Sequence, residues 1–130
     1  MSYITGLSGT PGPGWFTDNN GHPKLWVATE TWCLVVRGGE WNGGSWQNDF
    51  DSFFTARAAQ GVTVTMLDPF QANNGISAPN LNGSTWDGVN PFTSPGVLNN
   101  TFWTRVDYLM SSAKNNGITI APKLKRSITA

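Results

Sequence analysis

Two acidic residues sit where short apolar runs stop. Glu30 closes Ala28-Thr29-Glu30, and Asp68 follows Val62-Thr63-Val64-Thr65-Met66-Leu67. Trp32 stands two residues past Glu30, and Lys123 follows Ile118-Thr119-Ile120-Ala121-Pro122. Trp86 lies in an Asn/Gly/Ser-rich stretch between two periodic segments. Carboxylates and an ammonium group can hydrogen-bond sugar hydroxyls, and indole faces can pack on the apolar C–H faces of sugar rings. These five residues, Glu30, Trp32, Asp68, Trp86 and Lys123, are the candidate glycan contacts. Each has a plainer reading beside it: an N-cap or ion pair for Glu30, turn stabilisation for Asp68, burial for either Trp. Hydrolysis of a glycosidic bond needs two opposed carboxyls. Adjacent parallel strands lie about 4.8 Å apart, so spacing alone does not exclude Glu30 and Asp68 as a retaining pair, for which about 5–5.5 Å is required.

Composition agrees with a sugar-binding surface. Seven of 130 residues are Trp, there are 15 Gly, and only 12% are charged, about half the usual share of ~25%. Net charge is zero. Lys123, Lys125 and Arg126 form the single basic cluster, too small for a nucleic-acid footprint, and read as a solvated chain end. No run reaches the ~20 apolar residues of a membrane span. One cysteine, Cys33, excludes an intrachain disulfide. It reads as a small buried residue, and the sole histidine, His22, falls in a turn. No metal site and no cofactor is expected.

The elements that carry these residues follow from periodicity. Gly6 to Gly14 contains three Gly-X-Y triplets, a collagen-like pattern too short for a triple helix, so residues 1–14 read as a Gly/Pro-rich leader. Met1 to Pro13 lacks the basic and apolar regions of a secretory signal. The location is left open among the cytoplasm of the producer, a virion, and the outside of the cell reached by a route other than the general secretory pathway. Trp15-Phe16-Thr17 before Asn20-Gly21 predicts a short hairpin. Lys24 to Thr29 reads as the first core strand, and residues 33–44, with four Gly, as loop.

Ser45 caps a predicted helix from Trp46 to about Gln60, with Phe50, Phe53, Phe54 and Ala58 on one face. Gly61 stops it, and strand Val62–Leu67 follows. Residues 71–99 form a long loop, a kind that is often functional. Asn99 or Asn100 caps a second helix with the stripe Phe102, Val106, Leu109, Met110 and Ala113. Asn116-Gly117 stops it, and Ile118–Ala121 is a third strand ended by Pro122. Alternating strands and helices imply parallel strands with right-handed crossovers. Tight helix-to-strand turns and long strand-to-helix loops are the pattern of a β/α barrel. The predicted fold class is α/β, a partial (β/α)8 TIM-type barrel: about three parallel strands and two helices after a short β-hairpin.

The same residues resemble a family. Phe16-Thr17-Asp18-Asn19-Asn20-Gly21-His22-Pro23-Lys24-Leu25-Trp26 is similar to the "F-x-D-x-x-G-x-P-F-x-W/L" opening of apiosidase-like glycoside hydrolases. Ala28-Thr29-Glu30-Thr31-Trp32 resembles their "G-D-T-A-W". Phe50 to Val62 resembles "Y-L-x-x-R-A-x-x-G-F". Phe102 to Tyr108, with Ala113 and Asn116-Gly117-Ile118, resembles "Y-F-x-x-V-D-x-I…A-x-x-x-G-L". The resemblance runs over residues 15–124 and makes 15–130 the N-terminal part of a barrel domain. It implies eight strands, hydrolysis of plant or microbial polysaccharide, and catalytic carboxylates on later strands. Glu30 stands where the family has Asp, and the pattern is lost after Leu124. A barrel takes about 250 residues, so the 130-residue chain is expected to bind polysaccharide and to be inactive by itself. Three parallel strands leave two open edges, so self-association or a partner chain is expected. The alternative is a non-enzymatic structural or carbohydrate-binding module, such as a phage minor tail or fibre protein.

Overall fold

The computed structural model describes residues 4–8, 15–31, 33–41, 43–68 and 84–123. The chain begins with β1 (Ile4–Ser8) and β2 (Trp15–Asp18), which pair antiparallel with Ser8 opposite Trp15 and Leu7 opposite Phe16. The first Gly-X-Y triplet therefore lies in a strand, not in a structureless leader; the other two triplets fall outside the described residues. The expected Asn20-Gly21 turn is present, but its second arm is a single bridge, Thr17 to Pro23. Asp18 organises the turn. Its Oδ1 accepts from the backbone N–H of Asn20 at 2.8 Å and of His22 at 3.0 Å.

Three parallel strands form the central sheet, in the order β3 (Ala28–Thr31), β4 (Val64–Leu67) and β7 (Thr119–Pro122). The first is shorter and later than the apolar run predicts. Lys24 to Val27 lie outside it, and Leu25 is 76% exposed. Backbone bonds explain this: Lys24 N–H donates to Phe16 O, tying the start of the run to β2, while Val27 O accepts from Thr63 and Val64 N–H and the paired register with β4 begins at Ala28. Pro122 is the last residue of the third strand and still belongs to it. It sits opposite Leu67, and the next N–H, Lys123, donates to Leu67 O at 2.7 Å. Pro is tolerated because β7 is an edge among the described strands.

Between β3 and β4 lie a one-turn helix, α1 (Leu34–Arg37), and α2 (Trp46–Ala59). The short helix occupies the segment expected to be loop, and Leu34, Val35 and Val36 are buried there. Cys33 precedes it and is half-buried. In α2, Ser45 Oγ accepts from Asn48 N–H as a cap, a contact worth about 1 kcal/mol. After β4, residues Phe92–Ser94 (β5) and Val97–Leu98 (β6) make a small hairpin. The second long helix, α3 (Asn100–Asn115), is capped by Asn99, whose side chain accepts from Thr101 N–H. Gly61 and Gly117 follow α2 and α3 with φ of +79° and +71°, letting each chain reverse directly into a strand.

The core lies between the helices and one sheet face. Phe50, Phe54, Phe102, Leu109 and Ala113 are fully buried against Leu67 and Ile118, each large side chain adding about 1.5–3 kcal/mol. The stripe on α3 differs from expectation. Met110 is 41% exposed, while Arg105 and Ser112 are buried. Arg105 stands three residues after Phe102, so the buried face turns toward α2 and the loop before β5.

Candidate functional site

Strand register decides which candidate residues can meet. Thr29–Thr65–Ile120 and Thr31–Leu67–Pro122 form rows on one face. Leu67 and Ile120 pack in the helix-covered core, so this face is the outer one. Ala28–Val64–Thr119 and Glu30–Met66–Ala121 form rows on the other, which in a barrel faces the axis. Glu30 and Met66 are exposed there.

Threonine hydroxyls hold the outer rows in place. Thr31 Oγ1 donates to Met66 O at 2.9 Å, and Thr65 Oγ1 lies 3.2 Å from Thr29 O and 3.4 Å from Thr31 Oγ1. Thr31 and Thr65 are buried, so these bonds replace water that neither hydroxyl can reach. They sit beside Glu30 and fix the height of the strand end that carries it.

Glu30 and Asp68 are staggered, not opposed. Glu30 is level with Met66, and Asp68 lies two residues further on, about 6.6 Å along the strand at ~3.3 Å per residue. Combined with the lateral spacing of about 4.8 Å, their backbones are about 8 Å apart. Their surroundings also differ. Asp68 is 2% exposed, whereas Glu30 is open to solvent. Lys123 is exposed at the end of β7, on the far side of β4 from Glu30. Trp32 falls outside the described residues.

Trp86 is held against α1. Its backbone N–H donates to Val36 O at 2.6 Å, and it is 47% exposed. The neighbouring carboxylate, Asp87, accepts from Thr85 Oγ1 at 2.6 Å and from Arg105 Nη1 and Nη2 at 2.9 and 2.7 Å. The Arg105 hydrogen bonds hold the Asp87 carboxyl below its ordinary value of 3.8, against the opposing pull of partial burial; Thr85 adds to the lowering. The guanidinium also lies 5.4 Å from the Trp46 ring centroid, and Trp46 meets Tyr108 edge-on at 5.3 Å. This network ties the loop before β5 to both long helices.

Sequence reasoning missed Arg105, Trp41 and the Arg37–Glu40 pair. Arg105 had a signal, since it falls three residues after Phe102 on the buried stripe. Trp41 had none in periodicity, because it stands in the Gly-rich turn after α1. Among the described residues, no three His, Cys, Asp or Glu side chains converge as metal ligands would, and no helix is long and apolar enough to cross a membrane.

The sequence model of the family described as "Apiosidase-like, catalytic domain" matches residues 13–124. The chain belongs to the apiosidase-like family. The apiosidase-like chain is also similar in fold to a solved structure titled "Glycoside hydrolase", with 16% identity and a TM-score of 0.51 over 93% of this chain and 24% of that one. A second is a glycoside hydrolase family 5 protein from Bacteroides vulgatus ATCC 8482, with 19% identity and a TM-score of 0.53 over 83% of this chain and 22% of that one. The apiosidase-like chain thus spans about a quarter of the length of these structures. No curated protein matches it. The domain is glycoside hydrolase-like, and its parallel β3-β4-β7 sheet with outer helices is a partial TIM-type barrel.

Proposed function

We propose that this domain supplies one side of a polysaccharide-binding face at the C-terminal ends of its parallel strands. The observation that carries the reading is the exposed Glu30 carboxylate on the inner sheet face, one residue from the end of β3. Active sites of β/α barrels gather at that end. Glu30 and Lys123 are assigned to sugar hydroxyls, and Trp32 and Trp86 to stacking. Asp68, buried at the end of β4, is assigned to the same face as a residue that positions the strand end rather than one exposed to sugar. The acid/base and nucleophile pair of hydrolysis is assigned to other strands of a complete barrel.

The test is direct. The 130-residue chain is assayed for cleavage of aryl glycosides and, separately, for retention on polysaccharide, beside Glu30→Gln. Retention without cleavage, weakened in Glu30→Gln, is the expected result. Cleavage that Glu30→Gln abolishes would overturn the assignment of the catalytic pair elsewhere.

A second reading draws on the unpaired outer edges of β3 and β7 among the described strands. Such edges invite pairing with another chain. In that reading the domain is a structural or carbohydrate-binding module in an assembly such as a phage tail or fibre, and its edges are covered by further copies. Retention on polysaccharide is common to both readings, whereas assembly into stable oligomers favours the second.

A further inference from the structure

We propose that Asn20 is a site of spontaneous covalent modification, where the turn ahead of β3 loses ammonia with age and acquires an aspartyl or isoaspartyl link. It is independent of glycan binding, because it needs only water and the turn itself.

The sequence holds five Asn-Gly pairs, and in two of them, Asn20-Gly21 and Asn116-Gly117, both residues are described. Glycine has no Cβ to shield its backbone nitrogen. In the reaction the Gly21 nitrogen gives up its proton and attacks Asn20 Cγ. The new N–Cγ bond forms, the Cγ–Nδ2 bond breaks, and Nδ2 leaves with the proton as ammonia. Water then opens the five-membered ring at either carbonyl. The product is an ordinary aspartyl link or an isoaspartyl link that runs through the side chain. Nothing is oxidised or reduced.

The two pairs are matched in their backbone. Gly21 and Gly117 have φ of +79° and +71°. Gly21 N–H donates to Asp18 O and Gly117 N–H to Lys114 O, both at 3.0 Å, so each nitrogen must break one bond before it attacks. The difference lies in the side-chain amides. Asn116 is half-buried, its Nδ2 donates to Ser112 O at 2.9 Å, and its Oδ1 accepts from Thr55 Oγ1 at 3.4 Å. Both ends of that amide must come loose before Cγ can swing toward the Gly117 nitrogen. Asn20 is exposed, and among the described residues no hydrogen bond holds its side chain. A Cβ built on Gly21 would meet nothing within 4 Å, so the ring and the incoming water find open space on that side.

The modification reaches beyond the turn. An isoaspartyl link adds a methylene to a loop closed by Asp18 N–H to His22 O at 2.9 Å and by Lys24 N–H to Phe16 O at 2.7 Å. It also places a new carboxylate two residues from Asp18, whose Oδ1 already accepts from Asn20 and His22 N–H. Like charges this close oppose each other. The turn is thus the weak point in the tie between β2 and the start of the run into β3.

Peptide mapping by mass spectrometry tests this on the 130-residue chain stored folded at mildly alkaline pH, beside the same chain in urea. Folded, Asn20 should convert about tenfold faster than Asn116, which reflects the two extra hydrogen bonds on the Asn116 amide. In urea the two rates should converge. Aged wild-type chain should exchange its Lys24 amide proton faster than fresh chain, and aged Asn20→Gln should not. Asn116 converting as fast as Asn20 in the folded chain would overturn the role of the side-chain bonds. Asn20 staying intact in the folded chain while urea lets it convert would overturn the site itself. Unchanged Lys24 exchange in fully converted chain would overturn the link to β2.

Discussion

Asp87 and Arg105, eighteen residues apart, form a two-pronged ion pair in which the arginine is 7% and the carboxylate 38% exposed at the side chain. The asymmetry matters. The arginine comes from a helix face that is otherwise core, and the carboxylate comes from a loop that reaches down to meet it. Removing the carboxylate leaves a buried cation without its main partner.

Asp87→Asn should therefore lower stability at neutral pH by about 1–2 kcal/mol, allowing for solvent screening at the exposed side of the pair. The Asp87 carboxyl is held below its ordinary value by Arg105. Its contribution is complete above the unfolded value of about 3.8 and is lost as pH falls through the lower folded value. Urea unfolding across the acid range should show a shallower loss of stability in Asp87→Asn than in wild type. Equal slopes would remove Asp87 from the acid response.

The two long helices are joined by Asp51. Its Oδ2 accepts from Tyr108 Oη at 2.8 Å and its Oδ1 from Ser112 Oγ at 2.5 Å. The hydrogen bond to Asp51 raises the Tyr108 phenol above its ordinary value of 10.0. The stabilisation this represents is present below the unfolded value and fades as pH rises through the folded one. In Asp51→Asn the phenol should titrate closer to 10.0. Ultraviolet difference titration with Tyr3 replaced by Phe leaves Tyr108 as the sole tyrosine signal and reads this directly.

Gly39→Ala should be costly although the change is one methyl group. The residue has a φ of +97°, and the new Cβ would meet Trp86 Nε1 at 2.8 Å and Gly44 O at 3.2 Å. Strain of this kind costs about 1–3 kcal/mol, read as a lower denaturation midpoint. Gly43→Ala provides the contrast: φ is +66° with nothing within 4 Å of the added Cβ, so its loss should be the smaller. A larger loss at Gly43 would contradict the packing of Trp86 on Gly39.

The outer edges of β3 and β7 among the described strands, and the exposed Glu30 and Met66 of the inner row, should be covered in solution. Sedimentation of the 130-residue chain should show self-association that depends on concentration. A sharp, well-folded monomer across that range would count against coverage by a second copy.

Much of the scaffold was legible in local pattern. Ser45 and Asn99 cap the two long helices where their residue types suggest, and Gly61 and Gly117 end them. The β-rich runs after those glycines are the strands β4 and β7. These signals are short-range: a cap or a glycine turn is decided by neighbours a few residues away. Helix α1 escaped notice because four residues ahead of the Gly38-Gly39 pair are too few to show a helical period. The exposure of Leu25 and Trp26 escaped for another reason, since an apolar run does not record which neighbour takes its backbone hydrogen bonds.

The candidate site was legible only as residue types at strand ends. That Glu30 opens to water while Asp68 is buried, and that the two are staggered by two residues, follows from register between β3 and β4. Register is set by hydrogen bonds between segments more than thirty residues apart, which no local pattern encodes. The same holds for Arg105. Its spacing from Phe102 allowed burial, but only the loop bearing Asp87 made burial of a charge tolerable. The amino-acid sequence by itself determined the order of strands and helices and the chemistry available at their ends. The tertiary structure alone decided which of those groups share a face and which meet solvent, because packing and long-range pairing select among side chains that local rules leave equivalent.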